Sequence, residues 1–140
     1  AGRRRLEQTD ATMLDCREEL EGEYAEMLTR VGSLLDGEDD FVSAMATVAC
    51  ELHHAFEHYN WTGFYRSDGK SMLLVGPYQG SHGCLRIPFG KGVCGVAASS
   101  KVTQFVSDVH SFPGHIACSS STNSEIVVPV VTKDNVLLAV

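Results

Sequence analysis

Trp61-Thr62-Gly63-Phe64-Tyr65-Arg66-Ser67-Asp68-Gly69-Lys70-Ser71-Met72-Leu73-Leu74-Val75 is the stretch on which the fold turns. Trp61 to Arg66 is rich in aromatic residues, which suit a pleated, half-buried surface, and it predicts a strand. Ser67 to Lys70 carries the Asp-Gly signal of a turn, and Ser71 to Val75 returns as the hairpin partner. Upstream of Asn60 the period is helical. Leu20, Tyr24, Met27, Leu28, Val31, Leu34 and Leu35 recur at spacings of three and four, the apolar stripe of an amphipathic helix. Gly37 ends that helix, and Asp39 or Asp40 can cap the next. Phe41, Met45, Val48, Ala49, Leu52, Ala55 and Phe56 repeat the spacing. His53, His54 and His58 lie beside that stripe, as expected of a solvated or partly exposed helix face.

Downstream, Gly76 to Gly80 reads as a loop and Cys84 to Ile87 as a short strand closed by Pro88. Val93 to Ser99 has the small residues of a short helix, and Thr103 to Val106 predicts another strand. Glu125 to Thr132 and Val136 to Val140 are expected to pair as a hairpin around Lys133-Asp134-Asn135, with Pro129 on an edge or at a bulge. Two helices followed by a mostly antiparallel sheet with an inserted helix make an α+β domain. Val136 to Val140 is apolar with nothing after it, so the domain is expected to be truncated there.

The composition narrows the function classes. The chain has 140 residues, 44% hydrophobic and 21% charged, which fits one globular domain. A net charge of −7 argues against a nucleic-acid surface. Arg3 to Arg5 are assigned to an N-terminal extension, residues 1–16, expected to be disordered. No apolar run reaches membrane-spanning length, so no membrane association is expected. Five cysteines without CxxC pairs do not suggest a secreted disulfide framework, and a reducing cytoplasm is expected. Cys16 and Cys50 fall in helical patterns and are expected to be packing residues.

The chemistry concentrates in Asp108-Val109-His110-Ser111-Phe112-Pro113-Gly114-His115-Ile116-Ala117-Cys118. Here a cysteine follows two histidines in a segment broken by Pro113 and Gly114. Such a segment predicts a structured loop, and loops on a rigid scaffold carry reactive groups. Cys84 and Cys94 lie upstream in glycine-rich surroundings. A nucleophilic thiol with further thiols to resolve it is a redox arrangement. His110 and His115 are expected to structure the loop; lowering the thiol pKa is the alternative. A zinc site built from Cys84, Cys94, Cys118 and nearby histidines lacks the usual paired-ligand spacing, so no metal is expected.

Five runs in order resemble free methionine-(R)-sulfoxide reductases, a GAF-domain family. They are Asn60 to Tyr65, Gly76 to Gly80, Cys84 to Gly95, Asp108 to Cys118 and Asn123 to Pro129. The resemblance implies a GAF-like domain over residues 17–140, with a mostly antiparallel central sheet of about five or six strands and packed helices. It also implies a free amino-acid sulfoxide, R epimer, as substrate. Thiol chemistry without cofactor or metal, a thioredoxin-type reductant and a homodimer follow from it as well.

Carried over by motif, Cys118 is the catalytic thiol, Cys84 the resolving thiol and Cys94 a second candidate for that role. Trp61 and Tyr65 match aromatic residues of the substrate pocket, and Glu125 matches an acidic one. The family usually has an aspartate directly after the catalytic cysteine, where this chain has Ser119. Two further pocket aspartates of the family would fall past Val140, so the 140-residue form is expected to be inactive. The alternative is a non-catalytic GAF-type sensor of a small molecule, which would not need the trio Cys84, Cys94 and Cys118.

Overall fold

A computed structural model describes residues 2–116, 118 and 121–140. The first helix, α1, is Gly2–Leu34 and runs through most of the segment set apart above as an extension. The second, α2, is Phe41–Ala55. Asp40 is its N-cap and accepts the Ser43 amide N–H at 2.7 Å. That bond satisfies a donor the first helical turn leaves unpaired, and it holds the Asp40 carboxyl below its usual range. Met45, Ala49 and Phe56 of the predicted stripe are buried. His54 and His58 are exposed, and half-buried His53 reaches Thr62 Oγ1 at 3.3 Å.

The stripe on α1 is narrower than its sequence suggests. Met27 is buried and Tyr24 and Val31 are half-buried, but Leu28 and Leu34 are 66% and 52% exposed. The neighbour of α1 is α2, and a single helix covers one ridge rather than a broad face. Tyr24 makes the seam: its ring lies 4.2 Å from that of Phe56, and its hydroxyl is 2.7 Å from the Tyr59 hydroxyl. Cys16, expected to pack, is exposed. A 33-residue helix is about 50 Å long against about 22 Å for the 15 residues of α2. Much of α1 therefore has no helix beside it.

The predicted hairpin forms between β1, Trp61–Ser67, and β2, Met72–Gly80. Asp68 ties the turn by accepting the amide N–H groups of Lys70, Ser71 and Met72 at 2.8, 3.0 and 3.1 Å. The loop expected at Gly76 to Gly80 is instead the second half of β2. Trp61, Thr62 and Gly63 pair with Gly80, Gln79 and Tyr78, after a register shift between Gly63 and Tyr65. The bulge re-aims the strand so that Pro77, which cannot donate to a ladder, is accommodated.

β3 is Arg86–Pro88, α3 is Gly92–Ser100 and β4 is Gln104–Val106; a 3-10 turn follows at Val109–Ser111. The strands β5, β6 and β7 are Glu125–Val127, Val130–Val131 and Leu137–Ala139. The main sheet has the order β3-β2-β1-β7-β6, all pairs antiparallel, and β4 with β5 forms a second, two-stranded sheet. This is the expected α+β class, with one correction. The long hairpin from Glu125 is split: β5 pairs with β4, and only β6 pairs with β7. Pro129, without an N–H, marks the break, and β6 is the sheet edge anticipated there.

Tyr65, Leu73, Ile87, Val93, Ala97, Ala98, Val127, Leu137 and Val140 form one buried cluster. The small residues of α3 let that helix approach the strands closely. Past the end of β7, Val140 exchanges two backbone hydrogen bonds of 2.9 Å with Tyr65, so both backbone polar groups of Tyr65 are tied there. Among the described residues no helix is long and apolar enough to cross a membrane.

Candidate active site

Trp61 and Tyr65 come from β1 and Tyr78 from β2, and their rings stack. Trp61 lies 5.7 Å from Tyr65 at 21° and 5.3 Å from Tyr78 at 16°, between ring centroids and planes. Tyr78 stands opposite Gly63, and a Cβ on Gly63 would overlap the Tyr78 Cβ. The absent side chain on β1 is thus what admits the third ring. Trp61 Nε1 is buried and has no hydrogen-bond partner among the described residues. A buried N–H beside aromatic faces is costly alone and suits an acceptor oxygen on a small ligand.

Cys84, in the turn before β3, and Cys118, in the loop after the 3-10 turn, are joined as a disulfide with Cα atoms 5.4 Å apart. The loop is built as its proline, glycine and aspartate suggest. Asp108 accepts from the His110 ring at 2.9 Å and from the Ser111 hydroxyl at 3.0 Å. Those bonds, His110's foremost, hold its carboxyl below the usual range. Val109 is fully buried and its N–H donates to Asn123 O at 2.9 Å, which pins the loop to the segment leading into β5. His110 is exposed in this role. Ala117 and Ser119 lie outside the described residues, and with Ser119 the departure from the family's aspartate.

Cys94 stands in the first turn of α3 with a free thiol. Burial, and then the negative charge of Glu125, pushes that thiol up to about 12, so it stays protonated at neutral pH. Burial also raises the Glu125 carboxyl, against the opposing pull of His115, whose Nε2 is 3.9 Å from Oε2. Tyr65 is likewise pushed up to about 12, first by burial and then by Cys94. An acid of raised pKa, a protonated thiol and a phenol therefore share the space beside the disulfide. Such perturbed groups gather where proton transfer is needed.

All six residues singled out in the sequence, Trp61, Tyr65, Cys84, Cys94, Cys118 and Glu125, fall in this region. Two further members were not among those six. Tyr78 sits in a stretch taken as loop; its alternation with Pro77 and Gln79 along β2 was the signal. His115 was assigned to loop structure, whereas it faces Glu125, which lies across a break in the chain that spacing does not bridge.

No family model matches the chain. Curated relatives do. It is 40% identical over 114 residues to the free methionine-R-sulfoxide reductase of Escherichia coli, covering 81% of this chain and 68% of that protein. It is 42% identical over 121 residues to the enzyme of the same name from Saccharomyces cerevisiae, covering 82% and 67%. Among solved structures, the free methionine-R-sulfoxide reductase of Neisseria meningitidis, in complex with its substrate, superposes with a TM-score of 0.78 at 44% identity, covering 83% of this chain and 69% of that one. A GAF sensor protein of Burkholderia vietnamiensis, described as putative, gives 0.80 at 46%, covering 84% and 74%. The fold is thus the GAF fold, and with relatives of this identity over this share of their length, the chain belongs to the free methionine-R-sulfoxide reductase family.

Proposed function

We propose that the chain reduces free methionine-(R)-sulfoxide to methionine with Cys118 as nucleophile and Cys84 as resolving thiol. The observation that carries this reading is the Cys84–Cys118 disulfide beside the Trp61, Tyr65 and Tyr78 rings. The Cys118 thiolate attacks the sulfoxide sulfur, the sulfoxide oxygen takes up two protons and leaves as water, and a water molecule then adds to the Cys118 sulfur, losing a proton, as the new sulfur–sulfur bond breaks. Methionine leaves, and Cys118 is left as a sulfenic acid. The Cys84 thiolate then attacks the Cys118 sulfur, forming the disulfide and releasing water. An external dithiol of the thioredoxin type restores both thiols. Cys94, held protonated by burial, takes no part as a nucleophile.

Glu125 is the proton donor in this scheme, since burial favours its neutral form. Trp61 and Tyr65 enclose the methylthio end, and Trp61 Nε1 offers its free hydrogen bond to a substrate oxygen. The protein works in the cytoplasm, as a homodimer. A purely sensory GAF domain would bind a small molecule without needing a redox-linked cysteine pair, and the disulfide favours the enzyme.

The test is consumption of each free methionine sulfoxide epimer with a dithiol reductant, alongside the N-acetylated R epimer. The expected result is turnover of the free R epimer alone. Capping removes the ammonium group and its hydrogen bonds, and a polar pocket group left without its partner costs on the order of 1–3 kcal/mol. Equal rates on capped and free forms would refute the free-amino-acid reading.

A further inference from the structure

Gly83 immediately precedes Cys84, in the connection between β2 and β3. A Cβ placed on it would lie 2.8 Å from the Tyr65 hydroxyl oxygen, and 3.5 and 3.6 Å from Cζ2 and Nε1 of Trp61. The first distance is shorter than a Cβ tolerates. Gly83 is not among the glycines with positive φ, so its backbone is open to any residue. What excludes a side chain there is the aromatic pair. Tyr65 is confined: it is 5% exposed, its ring stacks on Trp61, and its backbone N–H and C=O are both bonded to Val140.

The chain is also fixed just beyond Cys84. Val75 N–H donates to Leu85 O at 3.0 Å, and Arg86 opens β3 against Leu74. A lift at Gly83 would therefore be taken up at Cys84. The Cα separation to Cys118 is 5.4 Å, and a disulfide fails beyond about 7 Å.

We infer that Gly83 is a positioning residue for the resolving step: its missing side chain lets the Cys84 loop rest on the Trp61–Tyr65 pair, and that contact brings the Cys84 sulfur within reach of Cys118. This rests on the function proposed above. In the step concerned, the Cys84 thiolate forms a bond to the Cys118 sulfur, the sulfur–oxygen bond of the sulfenic acid breaks, and the oxygen leaves as water after taking a proton. Cys84 is oxidised as the sulfenic sulfur is reduced. The earlier attack on sulfoxide involves Cys118 and does not need Cys84 in place.

The experiment is a single turnover of the reduced chain with one equivalent of free methionine-(R)-sulfoxide and no reductant. Methionine, the Cys84–Cys118 disulfide and a dimedone adduct on Cys118 are followed by mass spectrometry. Gly83→Ala should still release methionine, form the disulfide at least about tenfold more slowly than the parent, and accumulate the adduct, a tenfold change being readily resolved in such kinetics. Tyr65→Phe removes the hydroxyl that the new methyl group would meet. Gly83→Ala/Tyr65→Phe should therefore form the disulfide within about threefold of Tyr65→Phe alone, the signature of a coupled pair.

Parent-like disulfide formation in Gly83→Ala, or a slow rate that the second substitution does not restore, overturns the inference. If Gly83→Ala alone does not fold by circular dichroism, the double variant carries the test, and it must both fold and match Tyr65→Phe. If the parent yields no methionine, the proposed function fails. Hydrogen peroxide, which oxidises a thiolate to a sulfenic acid, then generates the Cys118 intermediate directly, and the same comparison of disulfide rates decides the role of Gly83.

Discussion

Cys84 and Cys94 are both candidates by sequence to resolve the proposed nucleophile, yet their surroundings separate them. Cys94 is buried and kept as a thiol, whereas Cys84 is already bonded to Cys118. Cys118→Ser should therefore abolish methionine formation in a folded protein. Cys84→Ser should permit a first equivalent and then stall, and Cys94→Ser should still form the disulfide; intact-mass measurement after one turnover checks all three. Disulfide formation lost in Cys94→Ser and kept in Cys84→Ser would reverse the roles. Glu125 makes a different prediction. Its folded pKa lies above the ordinary value of 4.5, so the folded state binds the proton more tightly. The resulting stabilisation is complete below that value and is lost as pH rises through the raised folded pKa. Glu125→Gln should remove that loss and flatten the profile of Tm as pH rises above the ordinary carboxyl range. A profile unchanged by the substitution would mean that burial does not hold the proton.

At the scale of elements, the β1–β2 hairpin places the aromatic trio, and Gly63 is its tightest point. A side chain there would meet the Cα and Cβ of Tyr78, atoms that cannot swing away, so the strands must part. Gly63→Ala should lower Tm and move Tyr78 off Trp61. Because Trp61 is the chain's single tryptophan, its fluorescence reports the change directly. Unaltered emission together with an unaltered Tm would show that the strands absorb the methyl group. The hairpin was legible because its signals are local: aromatic residues, an Asp-Gly turn and a change of period. The far half of β2 was not, because Gly76, Pro77 and Gly80 each carry loop chemistry. Pairing with Trp61 to Gly63 overrides that chemistry, and pairing is a property of two segments at once.

For the whole molecule, the buried cluster under the sheet carries the stability. Leu73 is fully buried near the start of β2, and Leu73→Ala should cost about 2–5 kcal/mol in urea unfolding. Leu28, in the same apolar pattern on α1 but 66% exposed, should change little when replaced by Ala. Comparable losses at both positions would mean that α1 buries Leu28 in solution. The contrast cannot be seen in periodicity, which marks both residues as apolar stripe positions and does not say what covers them.

The α+β class, the cap at Asp40, the hairpin turn at Asp68 and the cysteine loop all follow from local rules of period, capping and turn chemistry. The order of motifs also pointed to the residues that meet at the site, because short runs around a reactive group carry its chemistry with them. Only the folded chain decided that Cys84 bonds Cys118 while Cys94 stays a buried thiol, that β5 leaves β6 to pair with β4, and that Tyr78, opposite Gly63, stacks on Trp61. Each is a distance or a desolvation between segments remote in sequence. Such quantities are set by which surfaces the packing brings together, and no local pattern of residues contains them.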